Sequence, residues 1–192
     1  MVVHLLISFA ILFGGTPKEN SPVFSAYLMS ICDTSRKPSW TLEETVSDTM
    51  DLLFIRDTVW TYDSLQVKLG KDYSELFSFI FQHGLNPGKI LATYFSSSSP
   101  VVFEPAVEIR KVPAQTIGRI QFKKINGGKV IIAHFQGPYS EIRSAYQEIL
   151  NYMKANNKEA IGQPFEVYLN NPSTVKDPYD LKTDLYQPIR DN

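Results

Sequence analysis

The sequence predicts an α+β fold made of two tandem strand-helix-strand-strand units related by a pseudo-two-fold axis. The string Tyr-Ser-Glu-apolar-x-Ser occurs at residues 73–78 and again at residues 139–144. A helix-length segment accompanies each string, and two strand-like segments follow it. Because self-similarity over several elements indicates a repeated architecture, we expect repeat one at residues 49–109 and repeat two at residues 110–190.

The composition is that of a folded globular protein without a strongly charged partner. The 192 residues are 43% hydrophobic and carry a formal net charge of -1. Such a chain can bury a core but has no overall attraction for nucleic acid or an anionic membrane surface, so we expect no direct nucleic-acid binding. The single cysteine, Cys32, cannot form an intrachain disulfide, and we interpret it as a buried apolar residue.

The N-terminal segment is apolar but ambiguous. Val2–Phe13 is shorter than the twenty or so residues that span a bilayer, has no preceding Lys or Arg, and is followed by a poor cleavage site. It is an export signal or anchor, a buried element of the fold, or the product of a wrongly chosen start. We favour a cytoplasmic protein, with export or membrane anchorage through residues 1–15 as the alternative, and we expect these residues to lie outside the repeats.

Residues 1–48 together are interpreted as an apolar leader followed by a connector. Two polar, proline-containing stretches, residues 16–22 and 33–39, punctuate this region. Trp40 follows the second stretch, and it either fills a groove of the main domain or anchors the connector.

The first repeat is predicted to contain an extended run at residues 65–69, a helix, and strands at residues 90–95 and 101–109. The helix is indicated by four apolar side chains at helical spacing, namely Leu76, Phe77, Ile80 and Phe81. His83 and Gly84 then provide a C-terminal cap, so we interpret His83 as a helix-end residue and not as a ligand.

The second repeat is predicted to follow the same order, with strands at residues 130–135, 165–169 and 183–189. Its helix presents one apolar stripe, formed by Ile142, Tyr146, Ile149 and Met153. Gly137-Pro138 signals the start of this helical region, and Asn156-Asn157 is a plausible stop.

The alternation in residues 165–169 predicts which side chains share a face of the sheet. Phe165, Val167 and Leu169 are expected to pack on the helices, which would leave Glu166 and Tyr168 on the opposite face. We therefore expect an antiparallel sheet with helices on one face and a ligand groove on the other.

Several motifs of the second repeat resemble the GyrI-like small-molecule-binding domain family. The resemblance rests on residues 137–139 (Gly-Pro-Tyr), the helix that follows, residues 162–168 (Gly-x-Pro-Phe-Glu-Val-Tyr) and residues 183–189. It is specific over residues 110–190 and weaker over 49–109. The family resembles effector-binding domains of AraC-type and MerR-type regulators, but no helix-turn-helix region is seen here, which implies a stand-alone form.

The resemblance implies an acidic residue in a central groove, surrounded by aromatic side chains. Glu166 occupies the matching position, Tyr168 lies on the same face, and Tyr94 is the repeat equivalent of Tyr168, while Ala92 replaces the acid in the first repeat. Tyr186 and Trp60 are weaker candidates. Taken on the residues alone, Glu166 also fits a solvated position and the tyrosines fit ordinary sheet packing.

His134 has several possible roles. It is either a polar residue of the groove, an acid-base group, or a hydrogen-bonded structural histidine, and the last reading is favoured because no partner stands near it in sequence. Its spacing from the other histidines matches no metal motif, so we expect no metal or cofactor. A distant likeness to the SOUL haem-binding proteins would require His134 as the axial ligand, which we do not favour.

The leading functional hypothesis is a stand-alone protein that binds aromatic or lipophilic, possibly cationic, small molecules between the two repeats. One alternative is a GyrI-like hydrolase that uses Glu166 and Tyr168 as an acid-base pair. Another is a protein-interaction module resembling a gyrase inhibitor, with a surface at Lys123, Lys124 and Lys129 around a hairpin tip expected at residues 126–128. We favour binding over catalysis because the sequence contains no Gly-x-Ser-x-Gly motif and no Cys-His arrangement.

Overall fold

The structure, a computed structural model, describes residues 36–96 and 98–191, without the side chain of Tyr62. Ten strands in one antiparallel sheet and two α-helices account for most of these residues. The predicted α+β class is therefore confirmed. Val2–Phe13, Cys32 and most of the predicted connector lie outside the described residues.

The two longest connections between strands that contain no α-helix are residues 110–120 and residues 169–181. The strands are β1 (Ser39–Ser47), β2 (Met50–Phe54), β3 (Asp57–Val59), β4 (Pro87–Tyr94), β5 (Val101–Ile109), β6 (Gln121–Ile125), β7 (Gly128–Gln136), β8 (Lys158–Ala160), β9 (Phe165–Tyr168) and β10 (Lys182–Asp191). The helices are α1 (Tyr62–Gln82) and α2 (Arg143–Ala155), and short 3-10 turns occur at Tyr139–Glu141 and Pro178–Asp180.

The strand order places the two halves of the chain side by side. It runs β1-β7-β10-β9-β4-β5-β2-β6, with β3 added on β5 and β8 on β10. The first half contributes β2-α1-β4-β5, and the second contributes β7-α2-β9-β10. Strands β4 and β9 are therefore neighbours at the centre of the sheet, where the two halves meet.

A long two-stranded ribbon ties the halves together. Residues 39–47 pair with residues 128–136, and residues 50–54 pair with residues 121–125 in the same register, from Ser39 opposite Gln136 to Phe54 opposite Gln121. Strand β1 thus pairs with the second half, and β6 pairs with the first. The predicted hairpin tip at residues 126–128 is wrong, because β6 pairs with β2 and not with β7.

Apolar side chains fill both faces of the sheet. On one face α1 packs through Leu76 and Ile80, while α2 packs through Ala145, Ile149 and Met153. The other face carries a separate cluster that contains no helical residue, formed by Met50, Leu52, Phe54, Leu91, Ala106, Val130, Ile132, Phe165, Val167 and Tyr186. Both faces of the central strands are therefore buried.

Two predicted elements are wrong in detail. Residues 65–69 belong to α1, and Leu65 and Leu69 pack from it beside Val101 and Phe103. Their spacing of four residues is the helical one, and the first strand of this half lies earlier, at β2. Residues 39–47, expected to be connector, form β1, and the ring of Trp40 stacks on Phe135 with centroids 6.5 Å apart.

The predicted helix ends are confirmed. The amide of His83 donates to the carbonyl oxygen of Phe79 at the end of α1, and Gly84 follows with a φ of 60°. Asn156 caps α2, and Asn157 follows with a φ of 53°.

Within the described ranges, no helix is long and apolar enough to cross a membrane.

Candidate functional site

Glu166 lies on the face of the sheet that carries the helices, so the predicted orientation of β9 is wrong. Its neighbours Phe165 and Val167 pack in the cluster on the other face. Tyr146 of α2 instead contacts Glu166, donating its hydroxyl to Oε1 at 3.1 Å. The alternation in β9 correctly separates the two sets of side chains, but it cannot identify the helical face because both faces are covered.

A second tyrosine completes the surroundings of the Glu166 carboxylate. The Tyr168 hydroxyl donates to Oε2 of Glu166 at 3.0 Å. Glu166 is 7% exposed, so these two hydroxyls replace most of its hydration. No Lys, Arg or His forms an ion pair with Glu166 among residues 36–96 and 98–191.

Tyr94 extends this hydrogen-bond chain across the junction of the two halves. Its hydroxyl lies 3.1 Å from the hydroxyl of Tyr168. While Glu166 is ionised, the single proton of Tyr168 is committed to it, so Tyr94 is the donor in this contact. The chain therefore runs from Tyr94 of β4 through Tyr168 of β9 to the carboxylate.

Tyr73 and Tyr139 complete a tyrosine cluster around Glu166, which also contains Tyr94, Tyr146 and Tyr168, although neither was among the predicted site residues. The ring of Tyr139 meets Tyr168 edge-on, with centroids 5.8 Å apart. Tyr73 donates its hydroxyl to the Leu91 carbonyl of β4 at 2.7 Å. Each of these two tyrosines is the first residue of one copy of the repeated Tyr-Ser-Glu string, and this repetition is the sequence signal that could have identified them.

The position opposite Glu166 in the neighbouring strand is an alanine and not a second acid. Ala92 of β4 pairs directly with Glu166 of β9, and it is fully buried. The expectation that Ala92 takes the equivalent place in the first half agrees with this register. The carboxylate consequently sits at the centre of the junction between the halves.

Burial governs the ionisation of the whole cluster. It raises the pKa of Glu166 to about 7, although hydrogen bonds from Tyr168 and Tyr146 oppose the shift. Burial, together with the nearby Glu166 charge, also raises the pKa of Tyr139 to about 12 and those of Tyr94 and Tyr146 still higher. The phenols thus remain neutral donors, and only the carboxyl group titrates near neutral pH.

The remaining predicted site residues lie elsewhere. Tyr186 stacks on Phe165 with centroids 4.9 Å apart, on the face away from the helices. Trp60 lies in a bend between β3 and α1 and is 74% exposed. The structure therefore brings together Glu166, Tyr168 and Tyr94 but does not add these two to the cluster.

His134 bridges two carboxylates at one side of the sheet. Its Nδ1 lies 2.8 Å from Asp184, and its Nε2 lies 3.2 Å from Glu43. Partial burial lowers its pKa, but the two carboxylates outweigh that effect, so the net shift is upward. This arrangement matches the hydrogen-bonded structural histidine that the sequence favoured.

Intramolecular ion pairs occupy the three lysines considered as a protein-binding surface. Lys123 pairs with the buried Glu104, Lys129 with Asp191, and Lys124 with Asp51 at 3.4 Å. Over the described ranges, no group of three or more His, Cys, Asp or Glu residues is arranged to hold a metal ion.

The chain belongs to the GyrI-like small-molecule-binding domain family, whose model matches residues 61–190. That match includes both helices, the central strands and every residue of the tyrosine cluster. No curated protein matches the chain significantly.

Solved structures show the same fold at low sequence identity. The EcmrR C-terminal domain superposes with a TM-score of 0.65 at 16% identity, covering 80% of this chain and 99% of that domain. A hydrolase from Listeria innocua gives a TM-score of 0.57 at 14% identity, covering 87% of this chain and 98% of the hydrolase. SAV2435 bound to tetraphenylphosphonium gives 0.50 at 14% identity, covering 79% and 94%.

Proposed function

We propose that this protein binds aromatic or lipophilic cations over the central strands β4 and β9, with Glu166 as the charged anchor. One observation carries the proposal, namely that the carboxylate of Glu166 is buried and, among the described residues, is held only by neutral hydroxyls. A buried carboxylate without a counter-charge is costly, and a cationic ligand would supply that charge.

The surrounding side chains suit such a ligand. A carboxylate has about four acceptor positions, and the two tyrosine hydroxyls occupy only two of them. The rings of Tyr139 and Tyr168 offer aromatic surface beside the charge, and a cation over an aromatic ring gains further electrostatic energy. The bound tetraphenylphosphonium in SAV2435, which has a similar fold, supports the choice of a lipophilic cation as probe.

The test compares a cation with a neutral molecule of similar shape. We expect tetraphenylphosphonium to bind, and Glu166→Gln to weaken its binding by about 1.5–3 kcal/mol, because a contact with a charged group is lost. Triphenylphosphine oxide, which is neutral, should be affected less. Calorimetry of both ligands decides the matter, with Glu148→Gln on the exposed face of α2 as the matched control. Unchanged affinity of tetraphenylphosphonium for Glu166→Gln would remove Glu166 as the anchor.

Hydrolysis is a second candidate, favoured by the pKa of Glu166. A carboxyl group with a pKa of about 7 exchanges protons efficiently at neutral pH, and the Tyr168 hydroxyl lies beside it. The resemblance to GyrI-like hydrolases implies a strained-ring compound as the substrate class to assay, with product formation followed by mass spectrometry. If Glu166→Gln binds such a compound normally but no longer converts it, the protein is a hydrolase and not a simple binder.

A further inference from the structure

A second concave site lies on the sheet face that points away from both helices. A cavity of about 230 Å³ is lined by His134, Phe135, Gln136, Leu169, Lys182 and Asp184. Its volume falls below the roughly 300–1,000 Å³ that is usual for sites of drug-sized ligands, so it suits a smaller molecule. The tyrosine cluster contributes no residue to this cavity.

The floor of the cavity is held rigidly by the His134 bridge. Both ring nitrogens of His134 are engaged, one by Asp184 and the other by Glu43. Three different strands, β1, β7 and β10, supply these three side chains. His134 therefore fixes the position of Asp184 and offers no free nitrogen to a ligand.

Polar groups of opposite charge remain unused around this floor. Within the described ranges, the Lys182 ammonium has no partner, and Oδ2 of Asp184 has no hydrogen bond. Gln136 donates its amide nitrogen to the Tyr179 carbonyl, and its amide oxygen stays unengaged among the same residues. Lys182 and Asp184 are two residues apart on β10, so their Cα atoms are about 7 Å apart on one face.

We propose that this cavity binds a small zwitterion of the free α-amino acid type. The ligand ammonium would meet Oδ2 of Asp184 and the amide oxygen of Gln136, and its carboxylate would meet the Lys182 ammonium. The exposed Leu169 side chain would contact an apolar group on the ligand. A simple cation would leave Lys182 unmatched, and a simple anion would face Asp184, whereas a zwitterion satisfies both charges.

The test uses the common L-amino acids as probes, each at about 10 mM, enough to occupy millimolar sites. We expect at least one to shift the backbone amide resonances of Lys182 and Asp184 in heteronuclear NMR spectra. Its C-terminal amide and its N-acetyl derivative should each bind about tenfold more weakly or worse, since each lacks one charged contact.

Variants separate this cavity from the tyrosine cluster. Lys182→Met should weaken binding about tenfold or more, whereas Lys111→Met, at another exposed lysine, and Glu166→Gln should leave it unchanged. Two results overturn the proposal: no amino acid in the panel shifts these resonances, or the binding of a hit is indifferent to Lys182→Met. Because Lys182 is exposed, its substitution should not prevent folding.

Discussion

Glu166 shows how the burial of a single side chain links stability to function. Its carboxylate is buried beneath Tyr168 and Tyr146, and its pKa is raised to about 7. A raised carboxyl pKa means that the folded protein binds a proton that the unfolded chain has released. Ionisation of Glu166 therefore lowers the stability of the fold, while it makes the residue a better anchor for a cation.

The first prediction concerns how the ionisation of Glu166 changes the free energy of unfolding with pH. Between pH 4.5, the ordinary carboxyl value, and about pH 7, the folded state holds more protons at Glu166 than the unfolded state does. The wild type should therefore lose up to about 3 kcal/mol of unfolding free energy relative to Glu166→Gln as the pH rises through this window. Urea unfolding of both proteins at several pH values measures the difference, and a difference that is independent of pH would contradict the assigned pKa.

The second prediction separates the tyrosines by their place in the hydrogen-bond chain. Tyr168 takes part in two hydrogen bonds and Tyr94 in one. Tyr168→Phe leaves a buried carboxylate oxygen without its donor and should cost about 1–3 kcal/mol, whereas Tyr94→Phe should cost about 0.5–1.5 kcal/mol. Denaturant unfolding of both variants tests this order. A larger loss in Tyr94→Phe would mean that the donor directions are different.

At the level of elements, the positions of most strands were predicted correctly, but the face of β9 that packs on the helices was not. Residues 101–109 were predicted to be a strand and form β5, and the apolar stripe of the second helix packs as expected. The face of β9 was misassigned because a cluster without helical residues covers its other side. Glu166, Tyr168 and Tyr94 were predicted to lie together and do so, but Tyr73 and Tyr139 were not predicted to join them. No local pattern shows that a tyrosine in the middle of α1 and another in the turn before α2 reach the centre of the sheet.

The third prediction concerns residues 48–49 and 126–127, where the ribbon passes from the β1–β7 pair to the β2–β6 pair. A Cβ at Gly127 would overlap the Ser47 carbonyl oxygen, and the neighbouring backbone at residues 48–49 leaves no room for movement. Gly127→Ala should therefore destabilise the protein by about 1–3 kcal/mol.

A matched glycine provides the control for this steric argument. Gly70 lies within α1, and a Cβ there would meet nothing within 4 Å. Gly70→Ala should stabilise the protein by about 0.5–1 kcal/mol, because alanine loses less conformational freedom in a helix. Thermal unfolding of both variants is sufficient, and similar effects at the two positions would refute the crowding at Gly127.

For the whole molecule, we propose that the two halves are copies of one unit that are stable only together. The shared order of elements and the symmetric pairing of β4 with β9 support common units at residues 49–109 and 110–190. The ribbon exchanges β1 and β6 between the halves, a feature that a linear repeat in the sequence does not reveal.

The fourth prediction is that neither half folds alone. A fragment of residues 36–115 lacks β6 and β7, so β1 and β2 lose partners and the apolar cluster between the halves becomes exposed. Circular dichroism should show no cooperative unfolding for this fragment or for residues 116–191, while residues 36–192 unfold in one transition. Cooperative unfolding of either isolated half would contradict this interdependence.

The most direct measurement of the central claim is the pH dependence of tetraphenylphosphonium affinity. If the ionised carboxylate of Glu166 is the anchor, the affinity of the wild type should rise up to about tenfold per pH unit below pH 7 and level off above it, since protonation and cation binding compete. The affinity of Glu166→Gln should be lower above pH 7 and nearly constant over this range. Calorimetry from pH 5.5 to 8.5 tests both expectations, and a wild-type affinity that does not change with pH would contradict the account.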